Sequence, residues 1–368
     1  MMNRMIAANL VHRPIRSLIS VSAVALEVTL ILLIVALFYG QLNGSRESQA
    51  GVGADVMVQP PGASAIIAMS GAVIPVKVGD ILRKLPHVTV AAPVIWEFVT
   101  KPGIEIIYGI DLTSYDGLGS PFKYLSGGPF QGSGDVIVDD YFAGMDRVKI
   151  GDSITILNHS FRVCGIVAHG KGARKFLPLS TMQALIGAEN RASVFYLKLD
   201  DPNNADEVVR EIQQVPGMQT YAARSMKDWE TMMAPDNIPG FETSIRVVIG
   251  VALTIGFLAI FQSMYTAVSE RTREIGILKS LGASKLYIVN VILRETTLLA
   301  IVGVIAGVII SVVTRRVILF EKPVLRLFWS NTWVLRAAAI AILGALAGAL
   351  YPAFKAAQKD PIDALAYE

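Results

Sequence analysis

Four stretches of this chain are apolar, nearly free of charge and long enough to cross the hydrocarbon core of a bilayer, which takes about 20 helical residues. The first, LISVSAVALEVTLILLIVALFY, runs from about Leu18 to Tyr39, and the others from about Ile245 to Tyr265, Ile288 to Val313 and Trp333 to Phe354. Backbone in lipid must satisfy its own hydrogen bonds, so such runs have almost no choice but to be helices. Composition agrees, with 53% hydrophobic residues, 17% charged and a mean hydropathy of +0.51. That is too apolar for an ordinary soluble domain.

The stretch between the first and second runs has another texture. ADVMVQPPG, HVTVAAPV, IEIIYGID, GDVIVDD, SITILNHSFRVCGIV and SVFYLKLDD are short β-rich runs bounded by Gly, Pro, Asn or Asp. NNADEVVREIQQV carries capping residues and apolar positions at helical spacing, and LSTMQALIG is a second helix candidate. The fold class expected is therefore a membrane α-helical protein with four transmembrane helices and a large extracytoplasmic α+β domain inserted between the first and second spans. Gly- and Pro-rich breaks around Gly117 to Gly134 mark where that domain would divide into two lobes.

In numbers, the expected division is an N-terminal cytoplasmic or interfacial helix over 1–16, a first span over 17–40 and the extracytoplasmic domain over 41–241. The second span covers 242–267, a cytoplasmic loop 268–287, the third span 288–314 and an outer loop 315–332. The fourth span covers 333–355 and a cytoplasmic tail 356–368. Near the start, Met2, Met5, Ile6 and Leu10 fall on one helical face before Pro14; an interfacial helix and a frayed end both fit so short a segment. The first run is too long for a secretory h-region and no A-x-A site follows it, so it is expected to stay as an anchor.

Orientation follows from Lys and Arg in the short segments. Arg4, Arg13, Arg16, Arg271, Arg273, Lys279, Lys285, Lys355 and Lys359 fall on the side of the termini, against Arg315, Arg316, Lys322 and Arg326 in the third-to-fourth loop. The termini are expected in the cytoplasm. A net charge of +3 is too slight to argue for nucleic acid, and no such partner is expected.

Catalysis would need parts that the chain lacks. There is no G-x-x-x-x-G-K-[ST] loop, no G-x-S-x-G, no H-E-x-x-H and no C-x-x-C, and the four histidines, His12, His87, His159 and His169, show no ligand spacing. No enzyme activity, metal or cofactor of its own is expected. Neighbours on a strand face opposite ways, so Asp139 and Asp140 are not expected to form a paired-carboxylate dyad and read as a turn or solvated edge. Cys164 reads as a small buried apolar residue. HGKGARKF, His169 to Phe176, gathers Lys171, Arg174 and Lys175 either for an anionic ligand or as a solvated hairpin tip.

The charge-studded stretch SERTREIGILKSLGAS, Ser269 to Ser284, between the second and third spans has a different character. As one helix it aligns Ile275, Leu278 and Leu281, with Glu270–Arg273 and Arg271–Glu274 as i, i+3 pairs. A loop serving only to turn the chain needs no apolar stripe. The stripe suits a groove on another protein, and it suits equally packing under its own bundle or on headgroups. In the spans, GVIAG at Gly303 to Gly307 and GALAG at Gly344 to Gly348 permit close helix approach. Glu27 sits mid-span, where a lone ionised acid costs about 2.5 kcal/mol or more, so it must face the interior, find a partner or be protonated. Arg294 is one candidate partner, in either a polar clamp or a functional relay.

The run Glu270 to Ser284 resembles the signature loop of the MacB/FtsX-like ABC transporter permeases, which carry a similar E-I-G-x-x-K/R-x-x-G-A-S/T pattern between their second and third spans. YPAFKAAQKDPIDALAYE is similar to that family's ending, P-A-x-x-A-A-x-x-x-P-x-x-A-L, through Pro352, Ala353, Ala356, Ala357, Pro361, Ala364 and Leu365. The opening NLVHRPIRSLIS and GADVMVQPPG are also similar, while the rest of the middle domain matches only loosely. The resemblance implies that Glu270, Arg271, Arg273, Glu274, Ile275, Gly276, Leu278, Lys279, Leu281, Gly282 and Ser284 form the coupling site for a separate cytoplasmic ATPase. Within it, Ile275, Leu278 and Leu281 would make the apolar contact, Glu270, Arg273 and Glu274 the polar registration, and Gly276 and Gly282 the close approach and turn. ATP and Mg would be bound by that ATPase. The resemblance further implies pairing with a second permease copy and conformational work outside the membrane, called mechanotransmission, in export or lipoprotein, lipid or peptide handling. A periplasmic adaptor or substrate protein and membrane lipid are the other partners implied. The alternative is a non-transporting signalling subunit that regulates a periplasmic partner such as a peptidoglycan hydrolase.

Overall fold

The computed structural model describes residues 14–62, 72–99, 105–321 and 325–359, so the N-terminal segment 1–13 lies outside the described residues. The described residues divide into two compact units, one built from 14–40, 240–321 and 325–359, the other from 41–62, 72–99 and 105–239.

Among the described residues four helices are long and apolar enough to cross a membrane: Pro14–Ala50, whose last ten residues belong to the second unit, Phe241–Glu270, Lys285–Glu321 and Asn331–Gln358. The third continues to Glu321, beyond the expected end at 314, so the outer loop expected from 315 begins as helix. No proline or glycine interrupts TRRVILFE, which leaves nothing to end the helix earlier. The first also outruns its expected end at 40, because residues 41–50 are helical too.

Small residues set the spacing of this bundle. A Cβ on Gly307 would stand 2.7 Å from the Ala25 carbonyl oxygen and one on Gly303 2.6 Å from Val24 Cβ, so the third helix meets the first at bare backbone. Gly348 does the same against the second helix, 2.8 Å from the Phe257 carbonyl oxygen. Polar links sit among the apolar contacts: Ser20 and Ser263 hydroxyls are 2.6 Å apart, and the Thr29 hydroxyl donates to the Gly307 carbonyl at 3.1 Å. Tyr39, Phe241 and Trp333 pack as rings at one end of the bundle, with Tyr39 5.6 Å from Phe241 and 5.9 Å from Trp333, as side chains of an interfacial belt do.

Glu27 is buried, and one of its carboxyl oxygens has no hydrogen-bond partner among the described residues. Its carboxyl occupies the notch that Gly256 leaves in the second helix, where any Cβ would collide with it. The expected pairing with Arg294 does not form. Arg294 is exposed and donates to Asn290 Oδ1 at 3.1 Å, one turn away on its own helix.

In the second unit, one mixed sheet of ten strands runs in the order Ala222–Ser225, Val56–Gln59, Val194–Leu199, Val88–Val99, Glu105–Ile110, Lys175–Pro178, Asp135–Asp139, His159–Val167 and Tyr124–Gly127. Ser153–Ile156 also pairs with His159–Val167. Two pairings are parallel, Glu105–Ile110 with Lys175–Pro178 and Asp135–Asp139 with His159–Val167. Among the described residues one hydrophobic core gathers around Val56, Phe195, Leu197, Val208 and Ile212 and another around Ile95, Ile107, Val136, Phe161 and Leu177. The ten-stranded sheet contributes to both, a two-stranded sheet of Ile74–Pro75 and Arg191–Ala192 adds Ile74 and Ala192 to the first, and the expected break near Gly117–Gly134 carries an edge strand of the large sheet, so no lobe boundary falls there.

Three polar expectations change here. Asp139 is no solvated edge: it is buried at the end of its strand and caps the helix Asp140–Asp146, accepting from Phe142 N–H at 2.7 Å. Asp140 instead meets His169 at the surface, 3.0 Å from its Nδ1, with the imidazole stacked on Tyr141. Lys171 and Lys175 of HGKGARKF are spent on the fold rather than on a ligand or a solvated tip. Lys171 donates to the carbonyls of Gly51 at 3.0 Å and Ser120 at 2.6 Å, while Lys175 pairs with Glu105 at 2.8 Å and lies over the Phe142 ring. Cys164 is half-buried, its thiol pushed up to about 11 by burial.

The last turns of the first long helix are part of this unit. Gln49 bridges two buried tyrosines, donating to Tyr108 at 3.2 Å and accepting from Tyr196 at 2.9 Å, and the Gly172 N–H donates to Ser48. These bonds, with the buried Val52 just beyond, explain why a polar run such as SRESQA is helical at all.

Candidate coupling site

The segment Ser269–Ser284 is not one helix. The second spanning helix continues to Glu270, Arg271 breaks it at φ −106°, and a separate nine-residue helix follows, Thr272–Ser280. Its end is written by the letters that follow. Gly282 takes φ +91°, its N–H donates to the Lys279 carbonyl and the Ala283 N–H to the Leu278 carbonyl, both at 3.0 Å. This is the Schellman arrangement, with Leu278 and Ala283 both turned to the bundle as its apolar contact. Ser284 then starts the next helix, Lys285–Glu321, its hydroxyl accepting from the Tyr287 N–H at 3.2 Å. G-A-S is thus a stop followed by a start, and only glycine takes the left-handed step cheaply.

One face of the short helix is fastened. Ile275 is buried with the spanning helices and Leu278 packs partly against the same core, while Gly276 and Thr272 are buried beside them. Arg271 does not pair with Glu274 as expected but reaches Glu295 on the third spanning helix at 3.1 Å, with the two side chains 12% and 5% exposed. Lys279 donates to the carbonyls of Ala357, at 3.1 Å, and of Lys359, at the end of the fourth spanning helix. Lys359 returns to the Thr272 hydroxyl at 2.8 Å.

The other face is open. Glu270, Arg273, Glu274, Ile277, Ser280 and Leu281 are exposed, Leu281 by 80% and Ile277 by 44%. The stripe Ile275–Leu278–Leu281 is therefore split: its first two members point into the bundle and only Leu281 points out. Ile277 is the outward apolar residue that the i, i+3 reading passed over, and an i, i+4 reading from Arg273 through Ile277 to Leu281 would have found it. Glu295 was equally available, as an acid within an apolar span, the feature that singled out Glu27. Of the C-terminal family positions, Pro352 and Ala356 are buried in the fourth helix, whereas Pro361 and Leu365 lie outside the described residues. Among the described residues no group of three His, Cys, Asp or Glu gathers as a metal site.

Two family models match the chain, MacB-like periplasmic core domain over residues 17–215 and FtsX-like permease C-terminal over 246–361. The macrolide export ATP-binding/permease protein MacB of Nitrobacter winogradskyi is 23% identical over 391 aligned positions, covering 98% of this chain and 59% of the relative. The pyoverdine export ATP-binding/permease protein PvdT of Pseudomonas fluorescens is 27% identical over 235, covering 60% of this chain and 35% of the relative. The crystal structure of the periplasmic region of MacB from Actinobacillus actinomycetemcomitans aligns with a TM-score of 0.40 and 16% identity, covering 52% of this chain and 97% of that one. The chain spans 35% to 59% of the length of the first of the curated relatives it matches.

Proposed function

The chain belongs to the MacB/FtsX-like family of ABC transporter permeases, and from that premise we propose that it is a mechanotransmission subunit whose short helix Thr272–Ser280 is driven by a cytoplasmic ATPase outside these 368 residues. ATP and Mg are bound by the ATPase. This chain contributes the lever, the spans and an extracytoplasmic domain that works on a substrate or partner outside. The termini and the coupling helix lie in the cytoplasm of a bacterial inner membrane, and a second permease copy completes the unit. The relatives' names, macrolide export and pyoverdine export, favour export over signalling.

The observation that carries this reading is the division of the short helix into a fastened face and an open one. A helix gripped on one side by Ile275, Arg271 and Lys279 keeps its place under load, and an open face of Arg273, Glu274, Ile277 and Leu281 pairs an apolar centre with a charged rim. That composition suits a helix laid into a protein groove.

Ile277→Asp and Leu281→Asp test the site in the tagged full-length chain pulled from native membranes, with Mg-dependent ATP hydrolysis in the eluate as readout. Each is expected to lower it by about tenfold or more, the usual effect of charging the apolar centre of an interface. The thermal midpoint should hold, because both side chains are exposed. Retention of wild-type hydrolysis by both variants would overturn the assignment.

A further inference from the structure

We infer that Lys279 and Lys359 form a reciprocal clamp that joins the coupling helix to the C-terminal end of the fourth spanning helix, so that the fourth span is a direct output of the coupling segment. This rests on the reading that an ATPase drives that segment.

By covalent connection the coupling helix belongs to the second and third spanning helices, which flank it in sequence. The fourth is reached only through the whole third helix and the loop beyond. Contacts of the coupling helix with the fourth helix through the apolar core are non-directional and allow sliding. The lysine bonds do not. The last four carbonyls of any helix lack partners within it and carry the negative end of its dipole. Lys279, an ammonium with three donors, spends two of them on the Ala357 and Lys359 carbonyls, which places a cation where that dipole favours one. Lys359, at the same helix end, donates to the Thr272 hydroxyl, which is buried in the first turn of the coupling helix and hydrogen-bonds back to the Ser269 carbonyl at 3.0 Å. One end of the fourth helix is thus tied to both ends of the coupling helix. Both lysines are half-buried and absent from the open face, so gripping and transmitting are separable by mutation.

The test uses the full-length chain in nanodiscs with whatever ATPase copurifies, and follows amide exchange of Ala353–Lys359. Without nucleotide, Lys279→Met is expected to speed exchange there by about tenfold, the effect of losing two charge-assisted bonds and a favourable dipole contact, while Lys279→Arg stays close to wild type. On adding ATP, wild type should change its protection in this segment. Lys279→Met should retain the ATPase and lose that change. Wild-type exchange in Lys279→Met would overturn the clamp whatever the ATPase does, and an ATP response surviving in that variant would overturn the direct output. Absence of any ATPase from the wild-type eluate would defeat the coupling reading instead, leaving exchange to decide the clamp. Should Lys279→Met fail to fold, Lys359→Met removes the bond to Thr272 and leaves the two Lys279 bonds, so exchange should speed up in the same segment by less than tenfold and the ATP response should weaken; wild-type exchange and an unchanged ATP response in that variant would overturn the clamp.

Discussion

Asp139 is a carboxylate placed where the fold does not favour its charge. Burial raises its pKa to about 6 from an ordinary 3.8, against the opposing pull of the Phe142 N–H and the Arg174 charge. With the folded value above the unfolded one, its contribution to stability is fully present below pH 4 and is lost as pH rises through 6. A shift of this size corresponds to about 3 kcal/mol at most across that window. Asp139→Asn keeps an oxygen for the Phe142 cap and removes the charge. The variant should therefore gain on wild type as pH rises from 4 to 8, measured as the difference of their midpoints in denaturant. A difference that stays constant with pH would defeat the explanation. None of this was visible in V-D-D-Y-F, where alternation suggested a surface edge. The burial comes from strands that pair Asp139 with Val167, remote in sequence, and local pattern does not report it.

Among the elements, legibility followed the range of the interactions that decide each one. The four spanning helices are specified by composition alone, and G-A-S specifies a helix stop and start through bonds that reach five residues at most. Which face of the coupling helix turns inward depends instead on Glu295, Ala357 and Lys359, and neither three- nor four-residue spacing contains them. The strands Lys175–Pro178 and Ala222–Ser225 escaped for a related reason: each is four residues long and is stabilised by neighbours distant in the chain. The glycine patterns were legible as a possibility of close approach, and the structure gives each a partner. Gly307 faces backbone, the Ala25 carbonyl, which has nowhere to move, whereas the atom nearest to a Cβ on Gly344 is the tip of the Leu253 side chain. Gly307→Ala should therefore destabilise the bundle by about 1–3 kcal/mol and Gly344→Ala by clearly less, because a side-chain tip rotates away and a helix backbone does not. Thermal shifts of the two variants in detergent give the comparison, and an equal loss would mean that the approach at Gly307 is looser than described.

At the scale of the whole molecule, the two units rest on different physics. The sheet unit is held by hydrophobic cores, such as those around Phe195 and around Ile107, that exist because water surrounds them. The helical unit, in lipid or detergent, gains little from that effect and relies on close packing at Gly303, Gly307 and Gly348 together with polar links such as Arg271–Glu295. Urea weakens the first kind of stabilisation strongly and leaves detergent-solvated helices largely intact. Unfolding of the full chain in detergent should then occur in two steps, loss of strand signal at low urea and loss of helix only near or beyond the end of the titration. Variants assign the steps. Asp139→Asn should move the first transition alone, with the pH dependence already given, and Gly307→Ala should move the second alone. A single transition displaced by both variants would mean that the units stabilise one another through the continuous helix Pro14–Ala50, and that neither unit has a stability of its own.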